Sequence, residues 1–180
     1  MKLPVKTFAR EEMLRRVARF KDLKGSDGGL ADSNIPGCYR ALINVIGFQA
    51  PKDCDTMSPV GNEASAAPAI AIAEGFNLGF VKARPGNGPL MHNHDTNETF
   101  MPITGRWRCE WNEESTESVE LGPLDVISFP PGIARRFVNV TRGEDNQEHL
   151  MLFVIAGDAP AAEFTPRALE FIATATAAQS

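Results

Sequence analysis

The sequence predicts an all-β domain, built as an antiparallel sandwich or a small barrel. Between Ala69 and Gly157, short apolar and β-branched runs follow one another, and glycine, proline, asparagine and aspartate separate them. The chain has 180 residues, of which 43% are hydrophobic, so one domain with extensions can bury a sizeable core.

Helices are predicted on both sides of this β-rich region. Residues 7–23, TFAREEMLRRVARFKDL, place apolar side chains near the helical period and charges on the opposite face. Near the C-terminus, Thr165 is a predicted N-cap and Pro166 the first residue of a helix that continues as RALEFIATA. One further strand is expected in CYRALINVIGF, residues 38–48.

These patterns divide the chain into three segments and leave one acidic loop. The stretch NEESTES, residues 112–118, is expected to be a solvated hairpin loop, because like charges seldom become buried. The segments are an N-terminal helix and β extension over residues 1–68, a barrel over 69–157, and a C-terminal helical tail over 158–180.

Composition excludes several classes of function. The net charge is -5 and the pI is near 5.2, so we expect no basic surface of the kind that nucleic-acid binding requires. The N-terminus has no apolar signal region, and the longest apolar runs, AAPAIAIA and LMLFVIA, are shorter than the roughly 20 residues of a membrane span. We therefore expect a cytoplasmic protein with neither a nucleic-acid nor a membrane partner.

The three cysteines do not suggest a disulfide framework. Cys38, Cys54 and Cys109 are odd in number and far apart, and no CxxC pair is present. We expect free thiols at all three positions.

The stretch HNHDTNE, residues 92–98, contains two of the three histidines of the chain. In an extended strand the side chains at positions i and i+2 share a face, so His92 and His94 point the same way. Asp95-Thr96-Asn97 is turn-prone, so Glu98 is expected to begin the next strand and to return toward both imidazoles. Two imidazoles and a carboxylate can occupy one face of a first-row transition metal and leave open positions.

Two linked motifs resemble those of the cupin superfamily. Gly86, His92, His94, Glu98 and Gly105 match G(X)5HXH(X)3E(X)6G at every named position. Residues 124–139, LDVISFPPGIARRFVN, resemble the second motif, GDXXXXPXGXXHXXXN, with matches at Asp125, Pro130, Gly132 and Asn139. The resemblance covers about half of the chain. It implies a cupin jelly-roll barrel with a site in its lumen, and family habit also implies a homodimer.

The chain departs from the second motif at two positions. Leu124 replaces a glycine, and we expect Gly122 to serve the turn instead. Arg135 replaces the last metal-binding histidine of the family, and an arginine has no lone pair to offer a metal. His149 is the remaining histidine, and it can either substitute as a ligand or be an ordinary core or edge residue.

Arg135 leaves two alternatives open for the lumen. A divalent ion about 5 Å from a guanidinium is repelled by roughly 7 kcal/mol at an effective dielectric of about 20. In the first alternative, a divalent transition metal (iron, manganese, nickel or zinc) stays on His92, His94 and Glu98, and an anionic substrate bridges it to Arg135. In the second, no metal binds and Arg135 pairs with Glu98.

Several residues are candidates for substrate binding. Alternation over residues 135–139 points Arg135, Phe137 and Asn139 inward and their neighbours outward. Phe100 and Trp107 can line an apolar pocket or simply pack in the core.

The sequence therefore predicts a small-molecule cupin with Arg135 and Glu98 as catalytic residues. A metal-dependent enzyme acting on a small organic anion, of oxygenase type or less readily an isomerase or lyase, is the first hypothesis. The alternatives are a metal-free ligand-binding or sensor module and a structural oligomer without chemistry, and fold alone does not choose among them.

Overall fold

Ten β-strands form two five-stranded sheets in the computed structural model, which describes residues 3–49, 51, 56–65, 67–143 and 146–178. Two short helices and one longer helix accompany the strands, together with a single 3-10 turn at Phe20–Asp22. The helices are α1 (Arg10–Leu14), α2 (Gly61–Ser65) and α3 (Pro166–Ala177). The strands are β1 (Ala41–Ile46), β2 (Phe76–Ala83), β3 (His92–His94), β4 (Glu98–Pro102), β5 (Trp107–Trp111), β6 (Glu117–Leu121), β7 (Ile127–Phe129), β8 (Arg135–Asn139), β9 (His149–Ala156) and β10 (Ala162–Phe164).

Both sheets are antiparallel throughout, which confirms the all-β prediction. One sheet has the strand order β1-β2-β9-β4-β7, and the other has the order β10-β3-β8-β5-β6. The long pair of β2 and β9 runs in unbroken register from Phe76 opposite Ala156 to Ala83 opposite His149. Strands β3 and β4 follow each other in sequence but lie in different sheets, so the turn between them crosses from one sheet to the other.

The core lies between the two sheets, where the inward faces of both meet. Strand β8 alternates as predicted, with Arg135, Phe137 and Asn139 buried and the residues between them partly exposed. Phe137 makes edge contacts with Phe100 of the opposite sheet and with Trp107 of its own, at centroid distances of 5.2 and 5.8 Å. Aromatic contacts of this kind hold the lumen walls in one arrangement.

The predicted helix over residues 7–23 is wrong over most of its length. Only Arg10–Leu14 are α-helical, no residue of α1 is buried, and the chain is extended again at Arg19. Helical periodicity stabilises a helix only when its apolar face has a surface to cover. Here Met13 and Val17 remain about half exposed, and Phe20 contacts the barrel through Phe80 at 5.4 Å.

The C-terminal helix is confirmed, including its first turn. Thr165 is the N-cap, its side chain accepts a hydrogen bond from the Ala168 N–H, and Pro166 is the first helical residue. The acidic hairpin loop is confirmed over residues 112–116, which are exposed or partly exposed between β5 and β6. Its predicted end is wrong by two residues, because Glu117 and Ser118 already pair with Trp111 and Glu110 in β6.

The two sheets reach beyond residues 69–157. Strand β1, from the N-terminal segment, pairs with β2, and β10, from the C-terminal segment, pairs with β3. The flanking segments thus supply edge strands to the barrel as well as helices around it.

Cys38 and Cys109 are buried free thiols, and burial raises their pKa values to about 11 and about 12. Cys54 lies outside the described residues. Among the helices of the described ranges, none combines the length and the apolar character needed to cross a bilayer.

The turn before β7 corrects the prediction made for Leu124. Leu124 itself adopts the left-handed conformation, with φ at 71°, and its N–H donates to the Pro102 carbonyl at 2.8 Å. Gly122 does not have a positive φ. The position therefore has a backbone conformation that favours glycine, while it carries a side chain that is 70% exposed.

We expect Leu124→Gly to stabilise the protein by about 0.5–1 kcal/mol. The exposed side chain loses little on removal, and glycine relieves a left-handed strain of about 1–2 kcal/mol at an entropic cost of about 0.5–1 kcal/mol. Urea denaturation measures the free energy of unfolding. Val126→Gly is the matched control, since Val126 is also exposed but has no positive φ, and it should destabilise. Equal destabilisation by both substitutions would contradict the presence of backbone strain at Leu124.

Candidate metal centre

Three potential metal ligands converge between the two sheets. His92 and His94 lie on one face of β3 with their ring centroids 5.1 Å apart, and Glu98 is the first residue of β4 in the opposite sheet. All three side chains are buried. One ligand atom from each lies within 4.8 Å of the others. The spacing of HNHDTNE thus brings the predicted residues together.

The turn that connects His94 to Glu98 is held by backbone hydrogen bonds to two other segments. The Asp95 N–H donates to the Ala161 carbonyl at 3.1 Å, and the Ala161 N–H donates back to Asp95 Oδ1 at 2.9 Å. The Gly132 N–H donates to the His94 carbonyl at 2.9 Å. These contacts fix the angle at which the chain leaves one sheet and enters the other.

His92 is oriented by a backbone carbonyl. Its Nδ1 lies 2.8 Å from the Leu90 carbonyl oxygen, which can only accept, so Nδ1 carries the proton and Nε2 keeps its lone pair. The Leu90 N–H in turn donates to Asp32 Oδ2 at 3.0 Å, and Arg40 Nη2 donates to Asp32 Oδ1 at 2.9 Å. An outer shell of this kind is typical of histidines that bind metals.

Both imidazoles are neutral at neutral pH. Burial lowers the pKa of His92 to about 4, and the charges of Arg135 and Arg40 add to that shift against the Leu90 hydrogen bond. Burial also holds the pKa of His94 well below its usual value, with further lowering by His92 and Arg135. Neutral imidazoles offer the lone pairs that a metal requires.

Arg135 is fully buried and pairs with Glu98. Its Nε donates to Glu98 Oε2 at 3.1 Å, its Nη1 donates to the Ile133 carbonyl at 2.9 Å, and its guanidinium carbon lies 6.0 Å from the Phe129 ring centroid. Arg135 also stands opposite His92 in the register of β3 and β8. The ion pair of the second alternative is therefore present, and it connects the two sheets.

Glu98 titrates near neutrality. Burial raises its pKa to about 7, and the charge and hydrogen bond of Arg135 limit that rise. A carboxyl group in this condition can lose its proton readily when another cation arrives.

The donor set fits a divalent transition metal. Both ring nitrogens of His94 are buried and have no hydrogen-bond partner within the described residues, and its Nδ1 lies 3.6 Å from Glu98 Oε2. Tetrahedral bonds of about 2.1 Å place donors about 3.4 Å apart, so the widest pair has to close by at most about 1.4 Å. Two imidazoles and one carboxylate form a three-ligand set that leaves coordination positions open.

A small cavity of about 30 Å³ adjoins the three residues. It has room for about two or three water molecules. Its walls are mainly apolar, and Phe100 and Phe137 are among the residues that line it, as predicted for a pocket. On the N-terminal side, Arg40 lines the same cavity as His92.

The other predicted substrate-binding residues are directed elsewhere and do not line this cavity in the described part of the chain. The Asn139 amide donates to the Ala83 carbonyl at 2.9 Å and accepts from the Thr141 N–H at 3.0 Å, so it joins strands. Trp107 is fully buried behind Phe137, and its Nε1 donates to the Thr104 carbonyl at 3.0 Å. Arg135 reaches the cavity only through Glu98.

His149 does not join the ligand group. It begins β9 opposite Ala83 and packs against Gly105, where a built Cβ would lie 2.5 Å from the His149 Cγ. The second glycine of the first motif therefore makes room for an imidazole as well as adopting a positive φ of 74°.

The sequence did not reveal Asp32 and Arg40 as part of the site. Both are buried, although they come from a stretch of loop that looks polar and irregular. Their opposite charges in a Gly- and Ser-rich segment are an ordinary surface pattern, and only the fold brings them to His92.

Comparisons with known proteins support the fold. No protein-family model and no curated protein matched the sequence. Among solved structures, the oxalate decarboxylase of Lactobacillus farciminis in a formate complex is 14% identical, with a TM-score of 0.53 over 84% of this chain and 36% of that one. A sugar phosphate isomerase of the cupin superfamily from Silicibacter pomeroyi is 17% identical, with a TM-score of 0.52 over 82% of this chain and 80% of that one.

The chain spans about a third of the length of the oxalate decarboxylase that it matches. It likewise spans 25% of vicilin from Capsicum annuum, which is 16% identical over 51% of this chain with a TM-score of 0.45. The two antiparallel sheets of this chain agree with the cupin structures that match over most of its length. The protein has the cupin fold.

Proposed function

We propose that the protein is a metal-dependent cupin enzyme that acts on a small organic anion in its lumen, with oxygenase-type chemistry. His92, His94 and Glu98 hold the divalent transition metal. The observation that carries the proposal is the convergence of these three buried side chains beside a cavity, with both nitrogens of His94 unpaired in the described residues. Buried polar atoms without partners are rare in folded proteins, and a bound ion would satisfy one of the two His94 nitrogens.

Four side chains in and around the lumen have distinct roles in the proposed reaction. Glu98 supplies the anionic ligand and can release or take up a proton near neutral pH. Arg135 holds Glu98 in place and adds a fixed positive charge behind it. Phe100 and Phe137 give the apolar walls that exclude water from the reacting region. A divalent ion bound here would act as a Lewis acid toward substrate oxygens, and iron or manganese would also allow redox chemistry.

The size of the cavity narrows the substrate class. A space of about 30 Å³ accepts an organic anion of only a few non-hydrogen atoms unless side chains move. The summed charge of a divalent ion, Glu98 and Arg135 is +2, which favours an anion over a neutral ligand.

A metal-free binding or sensor module is the second candidate. The Glu98–Arg135 pair at 3.1 Å favours the metal-free candidate, because the Arg135 guanidinium already supplies to the Glu98 carboxylate the positive charge that a metal would supply. Measured metal stoichiometry separates the two candidates. The homodimer and the cytoplasmic location remain predictions.

We expect Glu98→Gln to weaken metal binding by at least about a hundredfold. Loss of an outer-shell partner alone typically costs 10–100-fold, and here an anionic ligand itself is removed. Elemental analysis and competition with a chelator measure the affinity in protein purified without a metal-binding tag. Glu110→Gln is the matched control, because Glu110 is also buried and paired with arginines, yet it stands outside the ligand group. Equal losses in both variants, or no metal in the wild type after reconstitution, would exclude the metal site.

Arg135→His is expected to tighten metal binding by at least about tenfold at neutral pH. The substitution removes a like charge and adds a possible fourth ligand at the position where the family motif has histidine. Arg135→Met removes the charge without adding a ligand, so the difference between the two variants isolates the ligand effect. Unchanged affinity in both variants would show that Arg135 does not act on the ion.

We expect the metal dissociation constant to fall about tenfold for each pH unit between about pH 5 and 7, and then to level off. With a pKa of about 7, Glu98 holds the proton that must leave on binding, whereas the histidines, with lowered pKa values, are already deprotonated in this range. Binding titrations in buffers of different pH measure the slope. A slope approaching three between pH 5 and 6, one proton from Glu98 and one from each imidazole, would mean that both histidines keep their ordinary pKa values.

A further inference from the structure

We propose that Arg40 is the residue that recognises the carboxylate of the substrate, and that the polar cleft on its outer side is the route by which the anion enters. The inference rests on the proposed function, because it concerns a ligand of the same cavity. It assigns anion recognition to Arg40 in the N-terminal segment, whereas the sequence motifs had suggested Arg135 for this role.

Arg40 lies at the boundary between the inner cavity and the outside. It lines the cavity of about 30 Å³ together with His92, His94 and Glu98. It also lines an outer cleft of about 330 Å³, and it is the single described residue common to both linings. Arg40 is thus the residue through which the cleft and the cavity adjoin.

The Arg40 guanidinium is held in one orientation and retains N–H groups that can donate to a ligand. Nη1 donates to the Cys38 carbonyl at 2.8 Å and Nη2 donates to Asp32 Oδ1 at 2.9 Å. The Asp32 carboxylate is in turn fixed by the Leu90 N–H. These contacts use two of the five N–H groups of an arginine, so the orientation is set before a ligand arrives.

Stability alone does not require a buried ion pair at this position. The Arg40 and Asp32 side chains are 5% and 0% exposed, and the neighbouring cavity wall is apolar, with Leu30, Leu42 and Val81. Burying two charges costs desolvation free energy, and apolar side chains of similar volume often serve stability as well or better. A guanidinium on the lumen wall adds what apolar packing cannot, a preorganised partner for a carboxylate.

Arg135 is less suited to this task than Arg40. Both guanidinium groups have two engaged nitrogens, and Arg135 Nη2 is buried without a hydrogen-bond partner among the described residues. Position decides between them, because Arg40 lines the cavity and Arg135 does not in the described part of the chain. The two ion pairs, Glu98–Arg135 and Asp32–Arg40, are each neutral, so a bound divalent ion leaves the lumen at +2. An organic anion that spans the ion and Arg40 compensates part of this charge.

The charges around the two neighbouring clefts also favour entry past Arg40. The cleft on the Arg40 side is lined by three cations, Arg40, Lys82 and Arg84, and by two anions, Asp27 and Glu148. Lys82 pairs with Glu148 at 2.8 Å and Arg40 with Asp32 at 2.9 Å, so the charges of this lining largely balance. The groove on the opposite side, next to His94, is lined by Asp95 and Glu163 and by no described cation. In a chain of net charge -5, the Arg40 side is therefore the more favourable approach for an anion.

The test compares acetate with its uncharged isostere acetamide. Isothermal titration calorimetry measures the binding of each probe to the full chain, both loaded with zinc and metal-free. The test variant combines Arg40→Met with Asp32→Asn, so that no unpaired charge is left buried and an oxygen still faces the Leu90 N–H. Arg106→Met is the control, since Arg106 is an exposed arginine of the barrel whose partner is Glu120 at 3.5 Å. Circular dichroism and zinc stoichiometry confirm that each variant is folded and competent.

We expect the wild type to bind acetate at least about tenfold more tightly than acetamide, and the double variant to lose at least about tenfold in acetate affinity while it retains zinc. Arg106→Met should bind acetate as the wild type does. Acetate affinity that is unchanged in the folded double variant, equal binding of acetate and acetamide, or no acetate binding to the wild type overturns the inference.

Failure of the proposed metal function gives a different result. In that case the wild type takes up no zinc, yet metal-free protein still binds acetate in an Arg40-dependent manner. This outcome supports the recognition role of Arg40 and removes the metal.

Discussion

The ion pair between Glu98 and Arg135 is the contact on which the arrangement of the lumen depends. Glu98 comes from β4 in one sheet and Arg135 from β8 in the other, so a single charge-assisted bond at 3.1 Å joins the two walls at the site. Both side chains are buried, and removing either leaves an uncompensated charge in the core. The pair therefore fixes the position of the carboxylate and couples the geometry of the site to the packing of the barrel.

That coupling sets the electrostatic state of the site. Burial shifts the pKa of Glu98 upward and those of both histidines downward, so all three groups tend toward neutrality before a ligand binds. The lumen is thus prepared to accept a cation without first losing two histidine protons. A second ion pair without net charge, Asp32–Arg40, lies near His92, and its Arg40 lines the cavity.

The convergence of His92, His94 and Glu98 was predictable from local spacing, because the three lie within seven residues and strand alternation decides which way they point. The fold was predictable from the two motifs that resemble those of the cupin superfamily. Features that depend on distant segments were not predictable. The helix over 7–23 failed because periodicity does not say whether a surface is available to cover an apolar face. Leu124 was misjudged because its side chain does not reveal a left-handed backbone. Arg40 and Asp32 reach His92 through contacts up to 58 residues apart in the chain.

Arg40 and the candidate metal ligands lie in different parts of the chain. The candidate metal ligands belong to the motif strands, whereas Asp32 and Arg40 belong to a loop segment that precedes the first strand of the barrel. Substitutions or insertions in that loop can alter which molecule is admitted while the motif strands stay intact. On the proposed assignment, substrate choice could change through the N-terminal segment alone, and chains that share both motifs would then act on different compounds.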